Sequence, residues 1–264
     1  MNTGEWARSR YWLCHFLQSR HERVRIDWGV PPGVFLTCGS PVARWLARSA
    51  AAQAATGAWV IGQAVSRCGD DPAYIQSIRL LLREQRYHGQ LMGRMLVRAQ
   101  VAAAPAGVTQ DLFIKLGRPL GMRYTLSAML LADLIEVAML ERLAQASDDA
   151  AVRGVCTGII REKRSHIAFH TERLTKEFAD FNFVRRNVRR LRLRAMFGAK
   201  LGRLLVEDRA CIAALGCRPH LFVRDCWRRI VAVLEVMVPY HRDVLLAALL
   251  AQDRQPYGKA EDSF

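Results

Sequence analysis

One hexapeptide pattern, Arg-Glu-x-Arg-x-His, occurs twice in the chain, at Arg83–His88 and at Arg161–His166. Each copy lies in a long segment whose apolar residues recur with helical spacing. Residues three and four places before a histidine lie on the histidine's own helix face, one turn away. Two such helices that face each other would form one shared polar site. Its candidate residues are Glu84, Gln85, His88, Glu162, Lys163 and His166. The alternative is that these charged residues form a solvated helix face.

The spacing of apolar residues predicts an all-α chain, with no convincing strand. Four long helices are expected at about 41–68, 72–104, 123–146 and 150–178. Residues 108–121 are rich in glycine and proline and are expected to form a crossover between the second and third helices. Asp70 or Asp71 can cap the second helix, which has Pro72 in its first turn. The expected architecture is a four-helix bundle with one long crossover.

The rest of the chain is expected to add helices at both ends of this bundle. Residues 1–38 are predicted to form an accessory helix and loop, and residues 39–180 to form the bundle. Residues 181–251 are predicted to form a basic helical hairpin packed on the bundle, followed by a flexible tail at 252–264. A chain of 264 residues can bury a large core without disulfides or structural metals.

The formal net charge of +15 is carried mostly by arginine and suggests attraction to polyanions. Eight cationic residues lie between Arg185 and Arg203 with no acidic residue among them. An acidic protein, an acidic lipid surface and a nucleic acid are all candidate partners, although no nucleic-acid-binding motif accompanies the charge. Any single arginine in this run is explained equally well by a solvated helix face.

The cysteine pattern and the hydropathy indicate a cytoplasmic protein. The seven cysteines are odd in number and show no Cys-x-x-Cys spacing, which favours neither a zinc site nor a disulfide framework. The first residues carry charges and lack the apolar core of an export signal. The apolar stretch 126–140 contains two carboxylates, so it does not predict a transmembrane span. A peripheral position at a membrane surface stays open.

Those two carboxylates, Asp133 and Glu136, are embedded in the nearly apolar third helix. A buried carboxylate is costly unless it is paired, hydrogen-bonded or bound to a cation. Asp133 and Glu136 are therefore further candidate members of the shared polar site.

Histidines preceded by glutamates on the second and fourth of four helices resemble the ferritin-like di-metal carboxylate superfamily of oxidases, desaturases and ferritin-like proteins. The segment Glu162–Leu174, with His166 and His170 one turn apart, resembles the metal-binding helix of that superfamily. The resemblance covers residues 41–174. It implies a bundle that binds two iron or manganese ions for oxygen activation, radical generation or metal oxidation.

The ligand positions of that superfamily are filled differently in this chain. The two histidines match at His88 and His166. The bridging glutamates that the superfamily has three residues earlier are replaced by Gln85 and Lys163. A lysine ammonium at such a position repels a metal ion directly, so the replacement at Lys163 disfavours metal binding.

The resemblance also places Gln53 and Asp133 at the single carboxylates of the first and third helices, so only Asp133 is a carboxylate. Hard divalent cations need negative oxygen ligands. We therefore expect neither a standard di-metal centre nor another cofactor. Lys163 would replace the missing metal charge by pairing with one of three candidate carboxylates: Asp133, Glu136 or Glu162.

A second arrangement keeps one iron or manganese ion. Glu84 with His88 and Glu162 with His166, joined by Asp133 or Glu136, would supply enough ligands for a mononuclear site. We favour the arrangement in which the two glutamates orient the histidines by hydrogen bonds.

Two functions of different classes follow from this interpretation. The first is an unusual or metal-independent redox enzyme, related to oxidases and oxygenases, that acts on a small molecule in the bundle interior. A buried lysine with a lowered pKa could serve as its base or nucleophile. The second is a noncatalytic pseudoenzyme that serves as a binding module or partner subunit for an anionic partner. In the enzyme, the catalytic groups would be Lys163, His88, His166, Asp133 and Glu136, and the binding groups Gln53, Gln85, Glu84 and Glu162.

Overall fold

The computed structural model describes residues 3–23, 25–29, 36, 39–55, 57–101 and 108–238. Within these ranges the regular elements are all α-helices, which confirms the predicted all-α class. The predicted tail at 252–264 lies outside the described residues. The helices are α1 (Thr3–His21), α2 (Pro41–Ala55), α3 (Ala58–Cys68), α4 (Pro72–Arg98), α5 (Val108–Ala146), α6 (Ala150–Phe178), α7 (Phe183–Ala214) and α8 (Pro219–Met237).

Aspartates fix the starting points of the two helices that carry the repeated hexapeptide. Asp71 accepts a hydrogen bond from the backbone N–H of Tyr74 at 2.9 Å, so it is the cap of α4. Asp149 accepts from the N–H groups of Ala151 and Val152 at the start of α6. These side chains satisfy amides that have no partner within the helix.

Three helix boundaries differ from the sequence prediction. Helix α4 ends at Arg98 and not near residue 104. The first predicted helix is divided into α2 and α3 at Gly57, whose backbone is extended (φ −121°). The predicted crossover is helical and continues into α5, interrupted at Gly121, which has φ +76°. Glycine adopts this left-handed conformation without the steric cost that a Cβ would impose. The glycine and proline residues at 108–121 predict an irregular segment, but its backbone forms a helix up to the break at Gly121.

Four helical segments surround a common interior. The pair α2 and α3 packs on α4, α4 packs on α6, α6 packs on α5, and α5 packs on α3, which closes a ring. The interior is filled by fully buried apolar side chains, including Ile78, Leu81, Met92 and Leu130. Helix α7 packs outside α2 and α5, and α8 packs outside α5 and α6. Among the helices described, none combines the length and apolar character needed to cross a bilayer.

Helix α1 belongs to the core rather than to a separate appendage. Phe16 is fully buried, with its ring centroid 5.6 Å from that of Phe169 and 5.9 Å from that of His166. Trp12 is also buried, and its Nε1 donates a hydrogen bond to Glu172 at 3.1 Å. The N-terminal helix therefore closes one side of the bundle next to a histidine of the repeated hexapeptide.

Gly89 sets the spacing between α2 and α4. A Cβ atom at this position would lie 2.9 Å from the carbonyl oxygen of Ala50 and 3.2 Å from Cβ of Gln53. The absence of a side chain therefore allows the two helices to approach closely. This contact brings Gln53 of α2 towards the polar residues of α4.

Candidate functional site

The two glutamates of the hexapeptides pair with the histidines of the opposite helix. His88 Nε2 lies 2.8 Å from a carboxylate oxygen of Glu162, and His166 Nε2 lies 2.9 Å from a carboxylate oxygen of Glu84. All four side chains are buried. Both bonds cross from α4 to α6, so neither histidine is hydrogen-bonded to the glutamate of its own hexapeptide. The contacts are of the kind by which carboxylates orient histidines.

These hydrogen bonds determine what the other ring nitrogens can do. Burial lowers the pKa of His166 to about 4 and also lowers the pKa of His88. Both rings are therefore neutral at pH 7. Facing the Glu162 carboxylate, Nε2 of His88 is the donor, whereas the position of the proton on His166 depends on whether Glu84 is protonated. Within the described residues the two Nδ1 atoms have no hydrogen-bond partner. The ring centroids are 5.7 Å apart.

Arg23, just after α1, bridges the two glutamates. Its Nε lies 2.8 Å from Glu162, and its Nη2 lies 3.6 Å from Glu84. The guanidinium also stacks on the ring of Tyr87, 4.1 Å from the centroid. We did not identify Arg23 from the sequence, because no local pattern relates it to residues so distant along the chain.

The two bridged glutamates differ in their affinity for protons. Burial raises the pKa of Glu84 to about 7, and repulsion from Glu162 adds to this effect. Burial also acts on Glu162, but hydrogen bonds from His88 and Arg23 outweigh it and lower its pKa to about 2. At neutral pH Glu162 is ionised, and Glu84 exchanges its proton.

Lys163 lies at the centre of a second set of contacts. Its Nζ is 2.5 Å from Asp133 and 2.9 Å from Glu136, and the side chain is 0 % exposed. Burial alone would lower the pKa of Lys163, but the two carboxylates outweigh it and raise the pKa to about 12. The expected lowered pKa is therefore wrong, and Lys163 is a fixed cation. Glu162, the third candidate carboxylate, pairs with His88 and Arg23 instead.

Gln53 completes this second set. Its Nε2 donates a hydrogen bond of 2.5 Å to an oxygen of Glu136, and the same oxygen contacts Lys163. We call Lys163, Asp133, Glu136 and Gln53 the lysine cluster. The remaining oxygen of Asp133 lies 4.0 Å from His166 Nδ1, which joins the cluster to the histidine pairs. Gln85 lines the same cavity as the lysine cluster. The nine residues selected from the sequence thus lie in one connected region.

His170 is a further buried member of this region. The side chain is fully buried, and its Nε2 lies 3.8 Å from Asp133. Burial lowers its pKa to about 3, so the ring is neutral. The sequence pattern places His170 one turn beyond His166, and this spacing was its only signal.

The residues present do not fit a di-metal centre. Lys163 bonds to Asp133 and Glu136, which any metal at this position would need as ligands. The mononuclear alternative does not fit either, since Glu84 and Glu162 are engaged by the Nε2 atoms of the histidines and by Arg23. In the described part of the chain, no three histidine, cysteine or carboxylate side chains are grouped so as to hold a metal ion.

The arginine run in α7 divides between the interior and the surface. Arg190 is buried. Arg189 donates to Ser127 at 2.8 Å and lies 4.6 Å from the centroid of the Phe178 ring. Arg185 and Arg192 are exposed. Only part of the run is therefore available to an anionic partner.

Comparison with models of protein families, with curated proteins and with solved structures finds no match to this chain. Any functional conclusion therefore depends on the residues themselves and on their arrangement.

Proposed function

We propose that the chain is a ferritin-like protein that works without a di-metal centre and binds a small molecule beside the lysine cluster. The observation that carries this proposal is the position of Lys163 between Asp133 and Glu136. In the resemblance drawn from the sequence, Lys163 stands where a metal-bridging glutamate is expected. Its ammonium group supplies the positive charge that a metal ion would supply in such a bundle.

A cavity of about 280 Å³ supports the small-molecule part of the proposal, because Gln53, Gln85, Asp133 and Glu136 all line it. A molecule bound there would contact the carboxylates of the lysine cluster. By resemblance to the oxidases and oxygenases, we propose that O2 oxidises this molecule: the molecule gives up two electrons and two protons, and O2 is reduced to hydrogen peroxide. Within that activity, Lys163 would hold the carboxylates of Asp133 and Glu136 in place, and these carboxylates would accept hydrogen bonds from the bound molecule.

Metal content tests the metal-free interior. The protein is purified without chelator, supplied with iron and manganese, and measured for metal per chain by elemental analysis. We expect wild type to stay empty and Lys163→Glu to gain metal, because the substitution restores a carboxylate and removes the ammonium. Lys176→Glu, at a partly exposed lysine of the same helix, is the matched control and should stay empty. Stoichiometric metal in wild type that His166→Ala loses would overturn the proposal.

A second function, binding to an acidic lipid surface without catalysis, is favoured by the first three turns of α7. Phe183, Val184 and Leu191 are 56 %, 65 % and 69 % exposed, next to the exposed Arg185 and Arg192. Apolar side chains interleaved with arginines are typical of helices that lie in an anionic membrane interface. Nucleic-acid contacts would not require the aliphatic side chains of Val184 and Leu191.

Vesicle binding tests this second function. The chain should sediment with vesicles that contain acidic phospholipid, and increasing salt should weaken the binding. The double variant Leu191→Ser, Arg192→Gln should reduce it, whereas Arg209→Gln, at an exposed arginine near the other end of α7, should not. Equal binding to neutral vesicles, or no binding at all, would argue against a lipid partner.

A further inference from the structure

The cavity beside the lysine cluster is bounded by α2, α4, α5 and α7. Its walls include the apolar side chains of Trp45, Met129 and Leu204. Ala132, which is exposed, also lines it, so the cavity reaches the protein surface. The cavity therefore combines an apolar wall with a polar inner end.

The polar inner end of the cavity contains hydrogen-bond acceptors that have no donor. Gln85 Oε1, Asp133 Oδ2 and Glu136 Oε1 are buried, and no described residue donates a hydrogen bond to them. All three residues line the cavity. Buried acceptors without donors are costly, so this arrangement favours a ligand that brings donors.

The charges around the cavity disfavour a carboxylate or phosphate ligand. At the inner end an anion would meet the unpaired oxygens of Asp133 and Glu136, whose counter-charge, Lys163, is already bonded to both residues. Nearer the surface, Arg48 and Arg203 form ion pairs with Asp208 and Glu207. Lys200 also lines the cavity, and Asp133 attracts its side chain electrostatically.

We infer that this cavity binds a small molecule with an apolar body and an N–H or O–H donor group. A hydroxyl would donate to one of the free oxygens of Gln85, Asp133 and Glu136, an ammonium group could donate to all three, and the body packs against Met129 and Leu204. This inference rests on the proposed small-molecule function and adds the chemistry of the ligand. An alcohol and a primary amine share this chemistry, and binding measurements distinguish them.

Four compounds with one carbon skeleton test the ligand class: benzyl alcohol, benzylamine, benzoate and toluene. Affinities are measured on the full chain by titration calorimetry or ligand-observed NMR. At least one of the two donors should bind, and benzoate and toluene should bind about tenfold more weakly. Stronger binding of the amine than of the alcohol would identify an ammonium ligand, and the opposite order would identify a hydroxyl ligand. Benzoate or toluene binding as tightly as both donors would overturn the inference.

Two variants locate the binding site. Gln85→Met keeps the side-chain length, removes one acceptor and should weaken donor binding about fivefold. Gln145→Met, at an exposed glutamine of α5, is the matched control and should leave the affinity unchanged. Ala132→Phe adds a ring at the exposed edge of the cavity and should abolish binding. An unchanged affinity in both Gln85→Met and Ala132→Phe would place the ligand elsewhere.

Metal analysis of the same samples separates this inference from the proposed function. A metal-free protein that binds none of the four compounds would overturn the ligand class and leave the metal-free interior intact. Metal in wild type would overturn the proposed function whether or not a donor compound binds.

Discussion

Replacing Lys163 by methionine tests the lysine cluster most directly. Methionine has a similar length and no charge, so Asp133 and Glu136 would stay buried without their counter-ion. Removing one partner of a buried ion pair costs about 3–5 kcal/mol. Because Nζ contacts two carboxylates at 2.5 and 2.9 Å and is fully buried, we expect Lys163→Met to lower the free energy of unfolding at pH 7 by about 4 kcal/mol.

Urea denaturation followed by circular dichroism measures this loss. Lys176→Met is the control, since Lys176 is 30 % exposed and lies 3.8 Å from Glu172. Lys176→Met should lower the free energy of unfolding by about 0.5 kcal/mol or less. Adding Asp133→Asn and Glu136→Gln to Lys163→Met should recover much of the stability, because no buried charge then lacks a partner. A loss below about 1 kcal/mol for Lys163→Met would refute the assignment of Lys163 as the counter-ion of two buried carboxylates.

Three further perturbations test the surroundings of the cluster by urea denaturation at several pH values. Burial raises the pKa of Glu84 from 4.5 to about 7, so folded wild type retains a proton that the unfolded chain releases, and it loses stability as pH rises through this window. The free energy of unfolding of Glu84→Gln, relative to that of wild type, should therefore increase by about 3 kcal/mol from pH 4.5 to 8. A difference between the two proteins that does not change with pH would contradict the raised pKa. Burial lowers the pKa of His170 from 6.5 to about 3, so wild type loses stability as pH falls below 6.5. The free energy of unfolding of His170→Leu, relative to that of wild type, should increase by about 2 kcal/mol as pH falls from 7 to 5. If it does not increase, the ring is not held neutral in the folded protein. Gly89→Ala should lower the free energy of unfolding by about 1–3 kcal/mol, because the added methyl group would press against Ala50. Gly93→Ala has open space around it and should raise the free energy of unfolding by about 0.5–1 kcal/mol. Equal effects of the two alanines would contradict the close approach of α2 and α4.

The sequence was sufficient to select part of the buried polar residues, because several of them interrupt patterns that are otherwise apolar. Asp133 and Glu136 are prominent since they lie in a nearly continuous apolar helix. His88 and His166 are prominent since each ends the same hexapeptide. Helical spacing then predicts that these residues share an interior, and their connected contacts agree with that expectation.

The hydrogen-bond partners could not be selected in the same way. Glu84 lies one turn from His88 on its own helix, and it also lies opposite His166 when α4 and α6 pack together. Both pairings satisfy the same spacing, and only the rotation and separation of the two helices decide between them. Arg23 gives no periodic signal at all, because its role depends on where the chain leaves α1.

The protonation state of Lys163 shows why a site's chemistry depends on its contacts more than on its composition. Burial by itself lowers the pKa of a lysine, and this effect suggested a base or nucleophile. Two carboxylates within 3 Å of Lys163 Nζ reverse the direction of the pKa shift, so the lysine holds its proton at any physiological pH. Glu84, with a pKa of about 7, is the residue of this region whose charge changes near neutral pH. Proton exchange is therefore expected at the glutamate that bonds to His166, while Lys163 supplies a permanent charge.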